Sequence, residues 1–194
     1  MIRAFFLLIV FLLPLASPSQ AQTGEQQVRR MLEQRDRQIK SVLGTNDSFS
    51  PAQRERLKAL INDGIDFEAM GKYALGPHWS DISPAQRGEF VDVFAEVVQA
   101  QSLTNLDIYR SEVRYDDVSV KEGEAHVVTT TTYKGVETKV TYDLHMTDGE
   151  WKVTDIVLDG TSTAQGYANS FQRVFKRHGF DRLMQSLRTR AERS

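Results

Sequence analysis

The chain contains no cysteine. That excludes a disulfide framework, a thiolate metal site, a cysteine nucleophile and a lipid anchor attached through a thioether. An excess of charge of one sign is also lacking: 24 Lys and Arg stand against 26 Asp and Glu, a formal net charge of −2. Nucleic-acid binding rests on a basic surface, so no nucleic-acid partner is expected. Histidine is scarce. His78, His126, His145 and His178 show neither HExxH nor any other close ligand spacing, so no metal site is expected. No GxSxG, Walker loop or dinucleotide fingerprint occurs.

There is one long hydrophobic run, Ala4 to Leu13, too short to span a bilayer comfortably. Arg3 precedes it, Pro14 follows it, and Ser19-Gln20-Ala21 supplies a small-x-small cleavage site. Residues 1–21 therefore read as an export signal cut before Gln22, with 22–194 as a single domain in the periplasm or outside the cell. That domain must be stable through packing alone.

In the mature part, Val28, Met31, Leu32, Ile39, Val42 and Leu43 recur at helical spacings up to Gly44. Ser50-Pro51-Ala52-Gln53 and Ser83-Pro84-Ala85-Gln86 each combine an N-cap, a first-turn proline and a glutamine three residues on, so both open helices. The second is expected to run from about Pro84 to Tyr109. Between Glu112 and Asp159 lie four strand-type runs, broken at Glu122-Gly123, Lys134-Gly135 and Asp148-Gly149. In the third run Val136, Val140, Tyr142, Leu144 and Met146 alternate with Glu137, Lys139, Asp143 and His145, so one face is covered and the other wet. After Gly160 the pattern reverts to a helix over about Ser162 to Arg177, stopped by Gly179, and then a last helix from Phe180. The fold class is α+β: a four-stranded antiparallel meander with N-terminal and C-terminal helices over one face.

Asp143 and His145 share a strand face and would serve as an acid/base pair beside a pocket. A solvated polar row explains them more simply, since Glu137 and Lys139 continue it. The large apolar residues Trp79, Phe90, Phe94, Tyr109, Tyr142, Trp151, Tyr167, Phe171 and Phe175 pack a core or line a cavity, and periodicity does not separate the two.

Tyr73-Ala74-Leu75-Gly76, Trp79, Ser83-Pro84-Ala85-Gln86-Arg87, Phe90 and Phe94 form one block; Gly149-Glu150-Trp151-Lys152-Val153, Asp155, Gly160, Ser162, Tyr167 and Phe171 form a second. Together they resemble the MlaC / toluene-tolerance family of periplasmic phospholipid carriers. The resemblance implies a curved sheet closed by helices over an apolar lipid cavity, with no catalytic residue and no cofactor other than phospholipid cargo. It further implies two docking partners: an inner-membrane Mla-type ABC transporter complex and an outer-membrane lipoprotein/porin complex, between which lipid moves to maintain outer-membrane asymmetry. On this reading the acyl chains lie between Val140, Tyr142, Leu144 and Val153 of the sheet and Phe90, Phe94, Val98, Tyr167 and Phe171 of the helices. At about 0.8 kcal/mol per methylene, releasing two long chains into water costs on the order of 20 kcal/mol, so a carrier must enclose them. Ser102, Thr154 and Thr161 depart from bulkier residues common in the family. The rival expectation is a small enzyme acting on a hydrophobic substrate, with Asp155 or His145 buried in the pocket.

Overall fold

The computed structural model describes residues 20–45 and 48–193. The leader assigned to residues 1–21 lies, except for its last two positions, outside the described residues. Five helices and five strands follow in order: α1 (Gln20–Leu43), α2 (Pro51–Asn62), α3 (Phe67–Leu75), α4 (Pro84–Ser102), β1 (Val113–Lys121), β2 (Glu124–Tyr133), β3 (Val136–Thr147), β4 (Glu150–Leu158), β5 (Thr161–Ser162) and α5 (Thr163–Arg193). Short 3₁₀ turns at Gly76–Trp79 and Leu106–Arg110 link α3 to α4 and α4 to β1.

Both capping boxes form. The Gln53 amide donates to Ser50 Oγ at 3.3 Å while the Ser50 amide donates to Gln53 Oε1 at 2.9 Å, and Ser83 and Gln86 repeat the arrangement at the head of α4. The far end of α4 comes sooner than expected, at Ser102. There Ser102 Oγ donates to the Gln99 carbonyl at 2.8 Å and Thr104 Oγ1 to the Gln101 carbonyl at 2.7 Å. Such local bonds offer the backbone an alternative to continued helix, and the apolar residues Leu106 and Tyr109 fall in the 3₁₀ turn instead.

The sheet is a curved antiparallel meander in the order β1-β2-β3-β4-β5. Each expected hairpin dipeptide has positive φ at both residues: 54° and 83° at Glu122-Gly123, 51° and 80° at Lys134-Gly135, 50° and 82° at Asp148-Gly149. This is the turn whose twist matches that of the flanking strands. Asp159-Gly160 makes a fourth such turn, at 45° and 81°, and folds the two-residue β5 back onto Val157 and Leu158. The strand count is therefore five, one more than the sequence suggests. The last two helices run on as α5, with a break at Gly179 (φ 77°, ψ −178°) where a stop was expected.

Three apolar clusters hold the layers together. Met70, Ala74, Leu75, Phe90, Phe94 and Phe171 belong to the first, built from α3, α4 and α5. Gly71 admits α4 closely here, since a Cβ at that position would stand 3.1 Å from Phe90 Cε1. In the second, Val28 of α1 packs on Ala125, Val127, Leu144 and Val153 of the inner sheet face. Ile39, Leu43, Leu57 and Leu106 make the third, at the C-terminal end of α1. The opposite sheet face carries the polar row Ser119, His126, Asp143 and Asp155, aligned strand to strand.

Candidate functional site

The nine apolar residues singled out from the sequence fall into two groups. On the helical side, Phe90, Phe94 and Phe171 are fully buried: Phe90 and Phe94 stack at 5.7 Å and 5°, and Phe171 meets both edge to face, at 6.0 Å and 89° and at 5.7 Å and 88°. Tyr167 closes the group, 5.0 Å from Phe94 at 87°, and its hydroxyl lies 2.6 Å from Gln101 Oε1. Val98, half-buried, packs at the rim. On the sheet side, Leu144 and Val153 are buried beneath α1 with Tyr142 beside them, and Val140 is buried further along β3.

The two groups meet through a linker that the sequence reading passed over. Ile65 packs against both clusters. Its neighbours bind the edge of β4: the Asp66 amide donates to the Val153 carbonyl at 2.9 Å, and the Val153 amide donates to the Gly64 carbonyl at 2.7 Å. Asp66 also caps α3, accepting from the Ala69 amide at 2.8 Å. Gly64-Ile65-Asp66 thus joins the helical layer to the sheet. The only local signal for it was an Asp three residues before Ala69, at the start of a short helix.

Tyr142 packs, partly buried, against the sheet-side cluster. Burial pushes its hydroxyl pKa up to about 12, yet the side chain keeps part of its surface accessible. Tyr109, also raised by burial to about 12, and Asp36 of α1 both lie within electrostatic reach of it, and Tyr115 of β1 is raised as well, chiefly by burial. An unfolded tyrosine ionises near pH 10. With a raised folded value, the contribution of Tyr142 is fully present below pH 10 and is lost between pH 10 and 12, by on the order of 2–3 kcal/mol. Urea midpoints measured at pH 9 and pH 11.5 should fall less in Tyr142→Phe than in the wild type. Equal falls would mean that Tyr142 is solvated.

Clefts open at the edges of the layers. One, of about 700 Å³, lies among Lys40, Thr45, Asp107, Arg110, Tyr133 and Lys134. A second of about 570 Å³ runs between α1 and β1–β2, and a third of about 370 Å³ between α2 and α4.

Against known families, residues 19–189 match the MlaC protein family. The chain belongs to the MlaC family. No curated protein matches it in sequence. Among solved structures, a phospholipid-binding protein from Ralstonia solanacearum, determined in complex with a phospholipid, shares the fold. It matches with a TM-score of 0.72 and 23% identity, over 87% of this chain and 97% of the other.

In this MlaC-family chain the residues weighed for acid/base chemistry are placed elsewhere. Asp143 and His145 do not pair with each other. His126 Nδ1 lies 2.6 Å from Asp143 Oδ1, and His145 Nε2 lies 2.7 Å from Asp66 Oδ2, both on the outer sheet face. Asp155 Oδ1 accepts the Ile156 amide at 2.8 Å and the Ala164 amide at 2.9 Å, and its other oxygen accepts Ser162 Oγ. It ties β4 to the start of α5 and does not serve the acid/base role weighed for it. Removing the carboxylate leaves three donors without their acceptor. Asp155→Ala should therefore cost on the order of 2–3 kcal/mol in urea unfolding, and a loss below half a kcal/mol would show that water replaces it. Ser102 and Thr154 also have structural partners: Asn62 Nδ2 donates to Ser102 Oγ at 2.9 Å, and Thr154 Oγ1 donates to the Asp143 carbonyl at 3.2 Å. Among the described residues, no group of three or more His, Asp or Glu is placed to hold a metal ion. No described helix is long and apolar enough to cross a membrane.

Proposed function

We propose that this protein is a soluble periplasmic phospholipid carrier. Family membership across nearly the whole chain is the observation that carries the reading, and the phospholipid-bound Ralstonia relative of the same fold supports it. The acyl chains part the helical cluster from the sheet. Phe90, Phe94 and Phe171 form the ceiling, Val98 and Tyr167 the rim, and Val140, Tyr142, Leu144 and Val153 the floor.

A carrier of this kind needs an apolar enclosure and no reacting group. It exchanges cargo by docking, because free release of the chains into water is prohibitive. The partners are an inner-membrane Mla-type ABC transporter complex and an outer-membrane lipoprotein/porin complex, and the exchange maintains outer-membrane lipid asymmetry. Native mass spectrometry of the mature protein, followed by solvent extraction, tests the reading. A discrete added mass identified as phospholipid is expected. A protein that is purified empty and stays empty after incubation with phospholipid vesicles would overturn it.

A further inference from the structure

The cleft at the end of α1 is lined mainly by cations. Its lining carries the cations Lys40, Arg110 and Lys134 and the carboxylate of Asp107, with Asp36 beside Lys40, in a chain of formal net charge −2. Three separate elements supply them: the end of α1, the 3₁₀ turn and the β2–β3 hairpin.

Each cation is steadied from one side. Lys40 Nζ lies 2.8 Å from Asp36, Arg110 Nε lies 3.2 Å from Asp107 while its Nη1 reaches the Gly44 carbonyl, and Lys134 Nζ stands 5.1 Å from the Tyr133 ring centroid. An ammonium has three donors, so these contacts leave Lys40 and Lys134 further donors to offer an anion. Thr45 and Ser111 add hydroxyls to the same walls.

The cleft is also where the inner sheet face runs out to solvent. Along β2 the inward positions read Ala125, Val127, Thr129, Thr131 and Tyr133, apolar at the covered end and hydroxyl-bearing toward the cleft. Thr129 and Thr131 spend their hydroxyl hydrogens on the Val140 and Glu112 carbonyls, which keeps that stretch lined by methyl groups until Tyr133. Lys40 lies one turn from Asp36, whose charge acts on Tyr142, and Arg110 follows Tyr109, the other hydroxyl beside Tyr142. An amphiphile with its chains over the inner face and its polar end at this cleft would meet matching chemistry along its length.

We propose that this cleft seats the phosphodiester of the bound lipid's head group, through charge-assisted hydrogen bonds from Lys40, Lys134 and Arg110. The proposal rests on the carrier reading and adds to it the group that distinguishes phospholipid from other two-chain lipids.

The test compares the mature wild type, the double variant Lys40→Gln/Lys134→Gln, and a control, Lys58→Gln/Lys139→Gln, whose cations lie off the cleft. Each is incubated with vesicles of dioleoylphosphatidylglycerol, or with the same vesicles doped with dioleoylglycerol, which has the same chains and no phosphate. Bound lipid is counted by native mass spectrometry. The cleft variant should retain about tenfold less phospholipid than the wild type and the control, with dioleoylglycerol uptake unchanged. Equal phospholipid loads in all three proteins would remove the head group from the cleft and leave the carrier reading standing. Failure of the wild type to take up either lipid would defeat that reading itself, and this proposal with it. Inorganic phosphate, titrated in parallel by ³¹P NMR, separates the remaining source of the same chemistry. Saturable binding to the wild type alone, with lipid loads unaffected, would assign the cleft to small phosphate compounds and overturn the head-group proposal.

Discussion

Val98→Trp is expected to lower the phospholipid load several-fold while the protein stays folded. Val98 sits on the α4 face of the helical cluster, half-buried at its rim and not locked into the stacked rings. An indole there projects into the space that the acyl chains would occupy, without displacing Phe90, Phe94 or Phe171 from their mutual contacts. Small-to-large changes in a packed core cost about 1–3 kcal/mol; at a half-buried position the cost should fall at the low end. Lipid per protein by native mass spectrometry, read beside the thermal midpoint of the lipid-free protein, separates the two effects. A full lipid load in a folded variant would place the chains away from the α4 rim.

Phe94→Ala acts on stability instead. Phe94 is fully buried and touches Phe90, Phe171 and Tyr167, with ring centroids 5.7, 5.7 and 5.0 Å away. Truncating a buried phenylalanine to alanine typically costs 3–5 kcal/mol, from lost transfer energy and from the cavity left behind. In a domain of this size that corresponds to a fall of roughly 10 °C or more in the midpoint. α3, α4 and α5 all converge on this ring, so they are expected to loosen together and give a single lowered transition. A loss below 1 kcal/mol would mean that the three helices collapse onto the gap, and that the helical layer adapts its packing more freely than its buried rings suggest.

Much of the architecture was legible because it rests on short-range chemistry. The capping boxes at Ser50 and Ser83 need only four residues each, and a hairpin whose two turn residues both require positive φ announces itself through a following glycine. Even so, Asp159-Gly160 carried the same signal as the other three turns and was passed over, because a strand of two residues leaves no alternation to read. The length of α4 was overestimated for a related reason: Leu106 and Tyr109 keep a helical rhythm, while Ser102 and Thr104 bond back to the carbonyls and end the helix before it reaches them.

The site was legible in its residue types and not in its assembly. Phe90, Phe94 and Phe171 were among the large apolar residues expected to pack a core or line a cavity, and all three are buried. Periodicity carries no information about which inward face meets which, so it did not show that these rings fill their own layer while Leu144 and Val153 pack beneath α1. The partners of the histidines were hidden in the same way. Asp143 and His145 are near in sequence and on one face, but the register sets His126 against Asp143 across β2 and β3, and the α2–α3 linker brings Asp66 to His145 from a distant part of the chain.

The sequence by itself determined the class of protein: an α+β chain without thiol chemistry, with a polar and an apolar sheet face and with the residue blocks of the MlaC family. Those properties follow from local propensity, alternation and composition, which act over a few residues at a time. Only the tertiary structure decided where the three apolar clusters separate, that Gly64-Ile65-Asp66 joins two of them, and that Lys40, Arg110 and Lys134 surround one cleft. Contacts between residues far apart in the chain arise when whole layers pack, and the geometry of that packing is a property of all the elements together.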